Sequence, residues 1–382
     1  MAKLSGNKGE WSEVYALCYL LAHGKIHAAD ENLNRLEDVF FPIMKVFRDE
    51  GDKHHKRYIE YQLPYLINAY NAYIGNINAI IKDGDDKQQT ISVFVNEEFV
   101  CDISQIYIFQ ELEKLYHHIA DSKGRTFSID DAEQLIERLQ CTKLSASSVD
   151  KADIGMELHD INTGYAPICG FSIKSDLGSP PTLLNASKAT NFVFEVKNLS
   201  NQHINEINAI NTKNKILDRM AAIYNYGGCL QFENVKTVFE DNLIMIDSRM
   251  PEILAAMLLY SYRTGCVDSE DIIDYLEKED PLGYSRSGFY GYKYKKLLCS
   301  VALGMMPSKK WDGRDEANGG YIIVKKDGDV VAYHIYNRDK FEDYLLKNTK
   351  FERGSTTKHG FATLYTENSR CFINLNLQIR FK

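Results

Sequence analysis

Residues 153–175 read DIGMELHDINTGYAPICGFSIKS. Ile154–Ile161 and Ile168–Ser175 are two short β-like runs, and Asn162-Thr163-Gly164 between them is turn chemistry for a hairpin. Alternate side chains of a strand share a face. On the returning strand Gly170-Phe171-Ser172-Ile173-Lys174-Ser175, Ser172 and Lys174 therefore point together, while Phe171 and Ile173 point into the packed side. A hairpin of this length can bring Asp153 beside the Ser172–Lys174 face, depending on register and twist.

These are the groups that hydrolysis of a phosphodiester requires. A carboxylate (Asp153) holds a hard divalent cation such as Mg²⁺ through oxygen. The cation polarises a phosphoryl oxygen and lowers the pKa of a bound water. A nearby lysine (Lys174) orients that water and offsets the charge growing on phosphorus. A backbone carbonyl of the second strand commonly serves as another oxygen ligand, and here that would be Ile173. One carboxylate is thin support for a metal, and the position two residues before the lysine, where an acid usually stands, is Ser172. The missing charge is expected from Glu13 first and Glu195 second. Glu195-Val196-Lys197 is itself an acid-x-lysine run, so a rival set of Asp153, Glu195 and Lys197 stays open. Lys174 is favoured because its strand pairs locally with the one bearing Asp153. Taken alone, the same residue types also fit a solvent-facing lysine on an edge strand and an aspartate at a turn.

Outward from the hairpin, residues 8–23 read as a helix with Trp11, Val14, Tyr15, Cys18 and Leu21 on one apolar stripe. Asn7 and Glu10 stand at capping-box spacing, which explains Glu10; nothing comparable explains Glu13. Residues 30–100 mix short strand-like and helical pieces, with a turn at Asp83-Gly84-Asp85-Asp86. Ile103–His118 and Asp130–Leu139 read as helices, the second introduced by Ser128 and Asp131. After Pro180-Pro181, Thr182–Thr190 is helix-compatible and Phe192–Val196 is a strand. A helix near Ile204–Tyr224 follows, then strands near Cys229–Phe232 and Leu243–Ile246 and a helix near Pro251–Arg263. The alternation predicts an α/β (α+β mixed) fold, a mixed sheet flanked by helices. In the last hundred residues, Asp268–Leu276 looks helical, Phe289–Leu303 is basic and aromatic, and Gly320–Val324 with Val330–Ile335 forms a second hairpin. Phe372–Phe381 is read as a closing strand. Three regions result: 1–150, the first helix and an acidic, largely helical subdomain; 151–265, the catalytic core; and 266–382, a basic, strand-rich C-terminal region.

The chain of 382 residues is 44% hydrophobic and 26% charged, a globular balance that excludes wholesale disorder. No run of about 18 apolar residues exists, and the N-terminus lacks the apolar segment of a secretory signal. A soluble, cytoplasmic protein with no membrane partner is expected. The 8 cysteines stand singly, which rules out a zinc ribbon or a CxxC redox site. The net charge of −8 hides a gradient: residues 285–382 hold 18 Lys and Arg against 10 Asp and Glu, and the preceding residues 27 against 43. A basic quarter of an acidic chain can still bind a polyanion, because salt screens the distant charge.

Three further stretches narrow the reading: Gly6–Glu13 (GNKGEWSE), Gly170–Asn191 (GFSIKSDLGSPPTLLNASKATN) and Asn374–Phe381 (NLNLQIRF). In order and spacing they resemble the HpaII-type restriction endonucleases, a type II family that cuts palindromic CCGG. The resemblance implies a restriction-endonuclease-like core of the PD-(D/E)XK kind, Mg²⁺ dependence and a homodimer acting on double-stranded DNA. It also implies a cognate DNA methyltransferase in the host. By this similarity Asp153 takes a metal-ligand place and Lys174 that of the catalytic lysine, Ser172 stands where the family pattern puts an acid, and Glu13 on its helix becomes the candidate second carboxylate. Reading G·C pairs in the major groove calls for Arg or Lys donors to guanine. The candidates for DNA contact are Arg286, Lys293, Lys295, Lys296, Lys309, Lys310 and Arg353, the loop-like run Ser355, Thr356, Thr357, Lys358 and His359, and Lys188 and Asn191. Two rival functions use the same fold: a catalytically inactive DNA-binding protein, with Ser172 marking a lost acid, and a repair or structure-specific nuclease.

Overall fold

Helix α1 (Lys8–His23) begins and ends as its sequence dictates. The Asn7 side chain accepts the Glu10 N–H, the Glu10 carboxylate accepts the Asn7 N–H at 2.7 Å, and Gly24 closes the helix in the left-handed region at φ 61°. Its residues from Val14 to Leu21 are all buried, so α1 is a central helix rather than a surface one. The computed structural model that shows this describes residues 3–52, 54–64, 90–146, 152–159, 166–353 and 361–382. It divides into two units, Met1–Ser179 with Glu316–Lys340, and Pro180–Asp315 with Phe341–Lys382.

The first unit is built on a nine-stranded mixed sheet. Its strands are β1 (Lys25–Ala29), β2 (Arg35–Asp49), β3 (Tyr58–Gln62), β4 (Thr90–Val95), β5 (Glu98–Ser104), β6 (Ile154–Leu158), β7 (Ile168–Ser175), β11 (Gly320–Val324) and β12 (Val330–His334), in the order β1-β12-β11-β7-β6-β2-β3-β4-β5. The long β2 also pairs with β1, which joins six of the strands in a closed ring of pairing. β6 and β7 are antiparallel, whereas β11 runs parallel to β7 on its other side. Helices α1, α2 (Gln105–Asp121) and the short α3 (Glu133–Arg138) complete the unit, with α1 packed against both α2 and β7. Tyr15 and Tyr19 of α1 donate to Gly328 O and Asp329 in the β11–β12 turn, at 2.6 and 2.9 Å, and so tie the helix to the sheet. Gly320 opens β11 at φ 114°, where an added Cβ would collide with the Tyr333 carbonyl.

The second unit holds a four-stranded sheet ordered β10 (Cys229–Val235), β9 (Asn191–Lys197), β15 (Arg370–Asn376) and β14 (Leu364–Glu367). A three-stranded sheet joins β13 (Thr349–Phe351), β16 (Ile379–Phe381) and β8 (Thr182–Leu184). Around them lie α4 (Asn201–Ala209), α5 (Lys215–Asn225), α6 (Thr237–Ile246), α7 (Met250–Thr264), α8 (Ser269–Glu279), α9 (Phe289–Leu303) and α10 (Arg338–Asn348).

Several expectations are corrected. Much of residues 25–104 is strand, not helix, because β1–β5 extend the central sheet. Thr182–Thr190 is not a helix. Thr182–Leu184 pairs with β16, and Ser187 caps only a single 3₁₀ turn at Lys188–Thr190. Leu243–Ile246 is the end of α6: Phe239 and Leu243 bury one face four residues apart, a spacing a short apolar run conceals. Phe372–Phe381 breaks after Asn376 into strands of two different sheets. The hairpin of β11 and β12 joins the nine-stranded sheet through the parallel pairing of β11 with β7. The turns at Asp83–Asp86 and Asn162–Gly164 lie outside the described residues.

Candidate active site

The register of the hairpin decides where its polar groups fall. Ile154 pairs with Phe171 and Gly155 with Gly170, and the Asp153 N–H donates to Phe171 O at 2.8 Å. Asp153 thus arrives opposite Ser172, and its Oδ2 accepts from Ser172 Oγ at 3.0 Å and from the Ile173 N–H at 2.7 Å. Lys174 Nζ donates to Ser172 Oγ at 2.6 Å and to the Ile173 carbonyl at 3.2 Å. An ammonium, a hydroxyl and a carboxylate are linked in one chain, because a serine hydroxyl accepts and donates at once. The neighbouring strand adds Tyr321, whose buried ring lies 5.1 Å from Lys174 Nζ. Lys174 keeps part of its surface open to solvent.

Glu13 reaches this group from α1. Ser12 Oγ bonds Ser175 Oγ at 2.7 Å, fixing the helix against β7, and Glu13 Oε2 accepts the Ala146 N–H at 3.0 Å. Burial and then the negative charge of Asp153 push the Glu13 carboxyl up to about 7, against the pull of Ala146, Arg48 and Lys174. Burial lowers the Lys174 pKa, opposed by Asp153 and Glu13.

Two carboxylates repelling each other beside a strand carbonyl form an oxygen donor set that suits Mg²⁺, which is held by one or two carboxylates and keeps several waters. No group of three or more His, Cys, Asp and Glu stands at metal-holding distance among the described residues, so a closed all-protein cage is absent there. The raised Glu13 pKa has a consequence without metal. An acid whose pKa rises on folding costs stability as pH climbs through the window between the unfolded and folded values, here 4.5 to about 7. In EDTA, Glu13→Gln is therefore expected to be more stable than the wild type at pH 8, by roughly 3 kcal/mol, and to match it near pH 4.5. Thermal melts across that range check this; equal melting at pH 8 would contradict it.

Glu195 belongs to the second unit, where Arg370 takes both its oxygens at 2.9 Å and Lys197 stands 3.6 Å away. Lys293, Lys295 and Lys296 on α9 pair with Asp247, Asp343 and Glu342 at 2.7, 2.8 and 2.7 Å. Arg353 donates to Ser261 O at 3.1 Å, and Asn191 accepts from Asn376 at 2.6 Å. Lys188, Arg286, Lys309 and Lys310 are exposed. Ser355, Thr356, Thr357, Lys358 and His359 lie outside the described residues. Tyr321 was not legible beforehand, since no sequence signal announces that β11 lies parallel to β7.

The profile of the HpaII restriction endonuclease family matches residues 7–381. The chain belongs to this family and is a type II restriction endonuclease. It is 40% identical to the type II restriction enzyme HpaII of Haemophilus parainfluenzae, over 99% of this chain and 98% of that one. No solved structure matches it. No described helix is long and apolar enough to cross a membrane.

Proposed function

We propose that the protein is a Mg²⁺-dependent endonuclease of the PD-(D/E)XK kind. It acts in the cytoplasm as a homodimer on double-stranded DNA and cuts the palindrome CCGG, leaving 5′-phosphate and 3′-hydroxyl ends. The observation that carries this reading is the linked set Lys174, Ser172 and Asp153 on one hairpin, with the Glu13 charge beside it. Family membership supports the choice of DNA as substrate.

Asp153, Glu13 and the Ile173 carbonyl would hold the cation, and Mg²⁺ when bound would supply a Lewis acid for the phosphoryl oxygen and a more acidic water. Lys174 orients the attacking water and faces the charge that develops on phosphorus. Ser172 holds the ammonium and the Asp153 carboxylate in register and carries no charge of its own. Glu13 supplies the negative charge that Ser172 lacks, from a helix rather than the strand. A twofold palindrome is read most simply by a twofold dimer, each copy reading one half-site. The exposed Lys188, Arg286, Lys309 and Lys310 have no carboxylate partner among the described residues, which favours them for DNA over the three paired lysines of α9. A host would need a methyltransferase of the same specificity.

Plasmid DNA incubated with the protein and Mg²⁺ should give discrete fragments ending at CCGG, and EDTA should suppress them. Salt-dependent binding without cleavage under any divalent ion would mean an inactive binder. Nicking of branched DNA with CCGG ignored would mean a repair nuclease.

A further inference from the structure

At the end of β2 lies a buried ion pair that the chemistry above does not use. Arg48 and Glu50 are 1% and 2% exposed, and Arg48 Nε donates to Glu50 Oε1 at 2.9 Å. Their remaining bonds converge on one loop. Arg48 Nη2 donates to the Lys143 and Leu144 carbonyls at 3.0 and 2.7 Å. Glu50 Oε2 accepts from the Thr142 N–H and hydroxyl at 2.7 and 2.6 Å. Lys143 Nζ returns to the Glu50 carbonyl at 2.6 Å, and Arg57 donates to Gln140 O at 2.6 Å. Two residues beyond this clamped run, the Ala146 N–H meets Glu13 Oε2.

We propose that the Arg48–Glu50 pair is a positioning device for the metal site: by fixing Gln140–Leu144 it holds the Ala146 N–H on Glu13 and sets the carboxylate toward Asp153. A buried ion pair is a poor route to stability, because desolvation of both charges offsets their attraction, and an apolar pair would fill the same space. Bonds gathered on a single loop that ends at a reactive carboxylate give this pair a different use. Arg48 also favours the charged form of Glu13. The proposal rests on the reading of Glu13 as a metal ligand, and the test separates the two.

The test uses the full-length protein stripped with EDTA and titrated with Mg²⁺ alone, following the rise in melting temperature, and then cleavage of plasmid in a parallel titration. Ala146→Pro removes the N–H that bonds Glu13. It should raise the Mg²⁺ midpoint of both titrations about tenfold. Thr142→Val loosens the clamp and should shift both midpoints in the same direction, about threefold, whereas Thr142→Ser should restore them. A purely structural clamp would lower melting in every condition without moving a Mg²⁺ midpoint. Unmoved midpoints in folded Ala146→Pro would overturn the proposal; if that variant does not fold, unmoved midpoints in Thr142→Val would do so. Glu13→Gln in the same titrations is the reference. If it shifts the midpoints and the loop variants do not, the clamp alone is wrong; if it shifts nothing, the metal-site reading fails with it.

Discussion

Lys174→Ala is expected to cut CCGG-containing DNA roughly 10²–10³-fold more slowly than the wild type, the usual cost of losing one preorganised charge at a developing oxyanion. The ammonium is held by Ser172 Oγ at 2.6 Å, the Ile173 carbonyl at 3.2 Å and the Tyr321 ring, so it is already in place before DNA arrives. Removing it leaves the hairpin intact, since the pairing of β6 with β7 is made by the backbone. Duplex binding measured in Ca²⁺ should therefore stay within a few-fold of the wild type. Single-turnover cleavage and a binding titration together check this, and undiminished cutting by the variant would refute the assignment.

Asp153→Asn is expected to lose cleavage by about 10³-fold or more, several kcal/mol of transition-state stabilisation, because the cation goes with the charge. The substitution suits the test. An amide oxygen can still accept from Ser172 Oγ and the Ile173 N–H, now made to Asp153 Oδ2 at 3.0 and 2.7 Å, so the hairpin end is preserved. Melting in EDTA should change little, while the rise in melting with added Mg²⁺ should disappear. A variant that keeps its Mg²⁺ response would show that the ion sits elsewhere.

The hairpin was legible because its information is local. Alternation along Gly170–Ser175 puts Ser172 and Lys174 together, and a short connection to Asp153 leaves few registers. Glu13 was legible by elimination: Glu10 caps α1, and no bond within the helix accounts for its neighbour one turn on. What stayed hidden depends on distant pairing. The partners of Lys295 and Lys296 are Asp343 and Glu342, far along the chain. Thr182–Leu184 becomes a strand only because β16 lies beside it, and Tyr321 meets Lys174 only through the parallel pairing of β11 with β7. The partners of Arg48 and Glu50 at Thr142–Leu144 likewise lie some ninety residues on.

The most direct measurement is the position of the anomalous Ca²⁺ signal in crystals of the protein with an uncut CCGG duplex. A peak is expected about 2.3–2.6 Å from an Asp153 carboxylate oxygen, with the Ile173 carbonyl and Glu13 around it and Lys174 Nζ facing the scissile phosphate. A peak at Glu195, or a phosphate backbone that passes the hairpin without meeting Lys174, would contradict it.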